Sequence, residues 1–534
     1  MASAPSPNPS ASAGNPKVDP ILRNALRYTV SAKEYELLHQ YLLSRASAVR
    51  RRAPRPPRYE SFVRSKDDYN AAAIRASLRV FFATQAGLKL WELITTKLIA
   101  RGRISKPLPK TSIFQSRNLR LSFSLSFILF LHRILYRFFT RLRENLLTPD
   151  AAPFRRRNPR VTRVLISRLA PAIGASLAGF SLGLYPSDQL RVTIAIYMVT
   201  RAAEFVYNSL EDQGWFQDRP WWFGSWLLMP FAYGQLLHAF VFDRECFPQG
   251  YGDFILKRSP NYIQQRPEDY PAQLAWPDTY EIVDSLAEMA HLNWPPFTSP
   301  ILFPNKETLP PSLTTIAPIT DPAHPGIKPL SCAVLHPNDP SCLRTYLTFY
   351  IRVFPQFARI FALVLTGMSI LRYKSFLATP ISSTNALAKS ILKLTLSVTG
   401  AIGSAWASIC LFQHVFPRSF LPTQRFFLGG FLAGFWAFLT RRSGRSNFLY
   451  SARMSIDSLW KVGVKRGWWR GVRNGDVWLF VLSLALTNAV YDVNPKAVTG
   501  GAVRKSLSVL RGQGWVDRAR AKSVVDTRDG EAEE

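Results

Sequence analysis

Two groups of residues in this chain have chemistry beyond packing. The first is Cys332-x3-His336-x5-Cys342. Thiolate and imidazole are the donor types that suit Zn²⁺. Three such residues with no fourth nearby fall short of a zinc signature, so no metal is expected, and the cysteines read as free thiols or a disulfide. Cys246 and Cys410 lie at the ends of apolar runs and read as small apolar residues. The second group is acidic. Glu204 and Asp457 stand inside apolar stretches, where an acid is costly and is a functional hypothesis by default. Arg201 lies three residues before Glu204. Arg453 lies four before Asp457, and Lys461 four after it. Those spacings place partners on one helix face. Structural pairing is therefore the plainer reading, and a path-lining role for Arg201, Glu204, Arg453 and Asp457 is the sharper one.

No phosphate-cradling loop, Gly-x-Ser-x-Gly elbow or His-Glu-x-x-His motif occurs, and the seven histidines do not cluster in sequence. The chain therefore reads as a non-enzyme without a cofactor.

The elements that must position these residues are apolar helices. The formal net charge of the 534 residues is +32, which suits either nucleic acid or an anionic membrane surface. The distribution favours the membrane. Aromatic residues sit in apolar runs, and basic clusters sit at run ends: Arg155-Arg156-Arg157 before Val164, and Arg441-Arg442 after Leu439. That is the flanking pattern of membrane helices. No nucleic-acid partner is expected. Four cysteines make no disulfide framework for this length. The first twenty residues lack the apolar core of a secretory signal, and Asp19, Glu34 and Glu36 interrupt any transit-peptide pattern.

In order, residues 1–70 read as a disordered and basic N-terminal region, with one helix over 21–43 and a proline-broken patch from Arg50 to Arg58. Apolar runs follow at 71–100, 119–139, 163–185, 189–210 and 221–242, the last with Trp221, Trp222 and Trp226 as an interfacial belt. Residues 258–342 form a proline-rich polar linker: 16 of the 39 prolines lie in 258–340, with one short helix expected at 280–291. Runs resume at 345–371, 388–412, 426–439, 448–464 and 477–490, and a polar tail closes the chain over 512–534.

The two sets of runs echo each other. Leu177-Ala-Gly-Phe180 returns as Leu432-Ala-Gly-Phe435. With a two-residue gap, Tyr197, Glu204, Tyr207, Gly214 and Trp215 fall on Tyr450, Asp457, Trp460, Gly467 and Trp468, and Arg79-Val-Phe81 echoes Arg352-Val-Phe354. Small residues four apart (Ala175, Gly179 and Gly183 in one copy, Gly430 and Gly434 in the other) mark stripes where another helix can approach closely. Asn474-Gly-Asp476 reads as a turn and helix cap. The expected fold is an all-α integral membrane protein. Two repeated helical modules, 71–257 and 343–511, carry four to five membrane helices each, joined by the proline-rich linker.

The stretch from Phe427 to Asp492 resembles the transmembrane protein 135 family. The resemblance is carried by Gly430-x3-Gly434, Tyr450, Asp457 (usually Glu in that family), Trp460, Gly467 and Arg473-Asn-Gly-Asp-Val-Trp-Leu-Phe480. Cys332-x9-Cys342 with His336-Pro337 is similar to that family's cysteine-containing region. The small-residue and acid-bearing helices also resemble a wider group of mitochondrial inner-membrane translocase channel subunits and small peroxisomal membrane proteins. The resemblance implies a multi-pass protein of the peroxisomal or mitochondrial membrane. Its implied role is lipid or metabolite handling, with a lipid or sterol cargo. A non-transporting scaffold in organelle dynamics is the alternative, recruiting protein partners through the basic N-terminus or the proline-rich segment. A translocase-like channel is the second alternative.

Overall fold

The computed structural model describes residues 20–43, 54–63, 68–95, 116–271, 273–370 and 373–520. The expected disorder over 1–19, the triple arginine at 50–52 and the end of the polar tail beyond 520 lie outside the described residues. Among the described residues the structure is helical, with one isolated bridge between Pro296 and Pro329 and no strand. Five helices are long and apolar enough to cross a membrane, and six if one bent pair counts as a single span.

The longer helices in chain order are α1 (Tyr69–Ile94), α2 (Arg117–Leu147), α3 (Ala170–Ala175, continued as a 3-10 stretch Ser176–Leu184) and α4 (Gln189–Asp212). Next come α5 (Leu228–Phe242), α6 (Thr279–His291), α7 (Leu330–Leu335) and α8 (Cys342–Ile370). The chain continues with α9 (Pro380–Val415), α10 (Arg425–Gly434, continued as a 3-10 stretch Phe435–Thr440) and α11 (Arg445–Lys465). It finishes with α12 (Gly475–Val493) and α13 (Gly501–Leu510).

These helices form two compact units. The first comprises residues 1–217 and 473–534, and the second 218–472. The division is not the one expected from the sequence modules: α5 falls in the second unit and α12 in the first.

Within the first unit, α1 packs on α2, α2 on α3, and α12 on both α3 and α4. The run 163–185 is not one straight helix. It divides into Pro159–Ile166 and Ala170–Leu184, bent by 86°. Pro171 explains why a new helix must start here. It lacks an N–H and is accommodated in a first helical turn, where that donor has no intrahelical partner. Ala175 is fully buried, and a Cβ placed on Gly179 would meet Val481 and Phe480 of α12 at 3.0–3.1 Å. Gly183 has more room, with Val477 at 3.9 Å.

Within the second unit, α8 packs on α9, α9 on α10, and α5 on both α10 and α11. The α5–α10 seam is the tightest. A Cβ on Gly430 would collide with the Tyr233 carbonyl, and one on Gly434 with the Pro230 backbone. Here the absence of a side chain sets the distance between two backbones.

The proline-rich segment is not a linker. It folds into the largest core of this unit, burying Tyr262, Ile282, Leu286, Met289, Trp294, Ile316 and Leu330 among others. Its helix, α6, begins with a capping box in which Asp278 and Glu281 each accept from the other's backbone N–H. Its prolines supply turns and helix starts, and many of its apolar residues turn inward, although Leu274, Ile301, Leu302 and Phe303 stay exposed. Trp226 also departs from the expected interfacial belt. It is buried against Phe438, with ring centroids 5.2 Å apart, whereas Trp221 is exposed.

Overpacking is expected to separate the glycines. Gly434→Leu should destabilise the detergent-purified protein by about 3 kcal/mol. Gly183→Ala should change it by less than about 1 kcal/mol. Thermal unfolding of the two variants checks the order.

Candidate functional site

Two features of the second unit qualify as sites. The first is an apolar chamber. Leu236, Phe240 and Val241 of α5 form one wall, and Val283 and Leu286 of α6 another. Ala401, Ala405 and Trp406 of α9 and Gly430 and Ala433 of α10 close it. The small side chains at 401, 405 and 433 leave the space open, while Gly430 borders it and lets α5 and α10 meet beside it. Its volume is about 120 Å³. A cavity of roughly 150 Å³ lined by aliphatic and aromatic side chains stays dry and takes benzene. This chamber therefore has room for a short apolar segment, not for a whole lipid or a sterol nucleus.

The second feature was not expected. Cys332, His336, Cys342 and Cys410 converge, and their ligand atoms all lie within 4.8 Å of one another. Cys332 Sγ is 3.9 Å from Cys342 Sγ, and Cys410 Sγ is 3.5 Å from His336 Nε2. Cys410 is buried near a helix end, as expected, but its sulfur also joins this group and supplies the fourth donor that is not nearby in sequence. Each residue comes from a defined place: Cys332 from α7, His336 from the residue that ends it, Cys342 from the first position of α8, and Cys410 from near the end of α9. Cys332, His336 and Cys410 are buried and Cys342 is half-buried.

His336 is oriented for this position. Its Nδ1 lies 2.6 Å from the Asp339 carbonyl oxygen, which can only accept, so Nδ1 carries the proton and donates it. Nε2 faces the sulfurs, 3.5 Å from Cys410 Sγ. Burial by itself lowers the affinity of this imidazole for a proton. Hydrogen bonding with the Cys332 and Cys342 sulfurs outweighs burial and raises its pKa to about 10. The centre of the group thus favours positive charge. A further imidazole, His414, is exposed, with Nε2 3.9 Å from Cys342 Sγ.

A signal for the fourth ligand did exist. Cys332-x3-His336 and Cys410-x3-His414 share one spacing. Nothing in the sequence places them side by side. That juxtaposition depends on α9 returning along α8.

The charges within apolar stretches behave differently in the two units. In the first, Glu204 is buried. Arg201 Nη1 donates to Glu204 at 2.7 Å, and Thr499 Oγ1 donates to its other oxygen at 3.0 Å. In the second, Asp457 pairs with Lys461 at 2.7 Å and is only half-buried, on the same helix as Arg453. Neither acid lines the apolar chamber.

A largely buried charge pair was missed in the sequence. Arg191, almost wholly buried, reaches Asp476 through both Nε and Nη2, and also donates to Asn474 Oδ1 at 3.2 Å and the Tyr185 carbonyl at 3.1 Å. Asn474, in the left-handed region at φ 57°, makes no capping bond to α12 and accepts from this arginine instead.

No family model, no curated protein and no solved structure matches the chain. The likeness to the transmembrane protein 135 family thus rests on the residues quoted for it.

Replacing Arg191 by Met leaves the partly buried Asp476 carboxylate unpaired and should cost about 3 kcal/mol. Asp457→Asn removes a half-solvated pair and should cost no more than about 1 kcal/mol. Chemical or thermal unfolding of the purified variants distinguishes the two.

Proposed function

We propose that this protein resides in a membrane and handles lipid, using the chamber of its second unit to hold an apolar segment of the cargo. The observation that carries the reading is the chamber itself, apolar, bounded by α5, α6, α9 and α10, and left open by the small side chains of Ala401, Ala405 and Ala433. A site for a polar metabolite would need several convergent polar groups. Its volume argues for the end of an acyl chain over a sterol ring system.

Membrane residence is supported by the exposed apolar faces of the long helices. On α8, Leu343, Leu347, Ile351, Leu363, Val364 and Met368 are all exposed, with Ile351 and Leu363 at 77%. An apolar surface of that extent requires a covering, and α8 is long enough to cross a bilayer. The peroxisomal or mitochondrial membrane follows from the family resemblance.

The internal repeat extends this reading. The helix contacts of the two units run in parallel: α1–α2–α3 corresponds to α8–α9–α10, and α12 against α3 and α4 corresponds to α5 against α10 and α11. Both fifth helices end alike, as Val241-Phe-Asp243 and Val490-Tyr-Asp492. Each aspartate meets basic residues. Asp243 pairs with Arg466 at 2.5 Å and Lys465 at 3.3 Å, and Asp492 pairs with Arg511 and with Arg518 at 3.3 Å. We read the chain as a duplicated five-helix module in which the two copies have exchanged their fifth helices. Exchange of an identical element between copies is an established route for joining them.

The chamber is tested with a phospholipid carrying a photoreactive group at the end of its acyl chain. The full-length protein is labelled in vesicles and the labelled peptides are mapped by mass spectrometry. Label is expected on α5, α9 and α10 chamber residues and on the exposed face of α8. Ala401→Phe should reduce chamber labelling by about tenfold, equivalent to about 1.4 kcal/mol, and leave the α8 label unchanged. Equal labelling of both peptides in wild type and variant removes the chamber from the mechanism.

A further inference from the structure

We propose that Cys332, His336, Cys342 and Cys410 form a structural zinc site that fastens the proline-rich segment to the ends of α8 and α9. The argument begins with distances. Tetrahedral Zn²⁺ with Zn–S near 2.3 Å and Zn–N near 2.0–2.1 Å requires ligand sulfurs about 3.8 Å apart and a sulfur–nitrogen separation of about 3.5 Å. The observed values are 3.9 Å for Cys332 to Cys342 and 3.5 Å for Cys410 to His336. Three thiols packed for their own sake have no reason to adopt this spacing together with an imidazole. A disulfide between Cys332 and Cys342 would bring their sulfurs to about 2.05 Å and leave Cys410 and His336 without a role.

The donor set narrows the metal. Three sulfurs and one nitrogen are too soft for magnesium or calcium, which take oxygen ligands. A two-iron cluster spreads its protein ligands over two irons, whereas here every ligand atom lies within 4.8 Å of every other. A single tetrahedral ion fits, and Cys₃His is one of the ligand sets of structural zinc. Four protein ligands fill the coordination sphere, so no position remains for water or substrate, and the site is structural rather than catalytic. The surroundings agree. The Asp339 carbonyl accepts from His336 Nδ1, the second-shell contact that holds a zinc-bound imidazole in its tautomer. Three of the four ligands are buried, which restricts exchange with solvent. On binding, the thiols and the imidazole give up the protons they hold on the ligating atoms, so Zn²⁺ with three thiolates and a neutral imidazole leaves one net negative charge.

The position explains what the metal would do. Cys332 and His336 end the proline-rich segment, Cys342 opens α8, and Cys410 lies one turn from Trp406 of the chamber wall. One ion therefore ties three stretches that no disulfide joins, since all four cysteines are free thiols. This inference is independent of the lipid reading. A chamber that fails to label leaves it standing, and an absent metal leaves the chamber standing.

The test uses the full-length protein purified in detergent under reducing conditions. Elemental analysis should find one zinc per chain. Cys332→Ser and Cys410→Ser should bring it close to zero, and Cys246→Ser and His414→Ala should leave it unchanged. Because ligand variants can misfold, wild-type protein stripped with a chelator is also titrated with Co²⁺. Thiolate-to-cobalt charge-transfer absorption and tetrahedral d–d bands are expected, saturating at one equivalent. Stripping should also expose the 258–340 segment to limited proteolysis, with protection restored by Zn²⁺. Wild-type protein that carries no zinc and gives no tetrahedral cobalt spectrum overturns the proposal. So does full zinc content in the Cys332→Ser and Cys410→Ser variants, or a Cys332–Cys342 disulfide in protein whose thiols were blocked at lysis.

Discussion

The second unit depends on one close approach. Gly430 and Gly434 let α10 press its backbone against Tyr233 and Pro230 of α5. In a membrane, helices gain little from hiding apolar side chains from one another, because lipid is equally apolar. Association then relies on van der Waals contact, which improves as backbones come closer. The seam sets the separation of α5 and α10, and that separation sets the width of the chamber between them. α9, packed on α10, supplies the facing wall and brings Cys410 within reach of the thiols on α7 and α8. A side chain at position 430 or 434 would thus disturb packing, chamber and cysteine cluster together.

The first unit solves the same problem with more polar contacts. Gly179 allows α12 to approach α3, though less closely than Gly434 allows α5. Around that contact lies a buried polar network. His132 Nε2 accepts from the Asn488 amide at 3.1 Å, while Nδ1 donates to the Leu510 carbonyl at 3.0 Å. Arg133 donates to the Val509 carbonyl, and Arg511 donates to the Asn488 carbonyl at 2.7 Å and pairs with Asp492. Such a network is stable only when its members are satisfied, and it specifies one arrangement in return. Glu204 belongs to this type of contact: with Arg201 and Thr499 it joins α4 to the segment after α12.

The two acids singled out by their apolar surroundings therefore have different settings. Glu204 is a buried strut, whereas Asp457 is half-solvated beside Lys461. An apolar stretch of sequence around an acid does not fix its burial, because burial depends on what packs outside each helix. The chamber and the cysteine cluster, by contrast, belong to the second unit, where the folded proline-rich segment contributes α6 and α7 to their walls.

Much of this was legible in the residues. Long apolar runs with basic flanks determine helices of membrane length, because that composition has few other stable outcomes. The stripes at Gly179 and Gly430/Gly434 name the close contacts, since only small residues permit them. The spacing of Arg201 and Glu204, and of Asp457 and Lys461, sets their pairing within one turn. Other features were decided only by tertiary structure. The run 163–185 reads as one span, and the break before Pro171 with its 86° bend came only from the packing of α3. The inward turn of Tyr262, Ile282 and Trp294 in a proline-rich stretch follows from long-range contacts that local composition does not encode. Arg191 found Asp476, and Cys410 found His336, across long intervals of chain. Side chains so far apart in sequence meet only where helix packing brings them, and no periodicity records that.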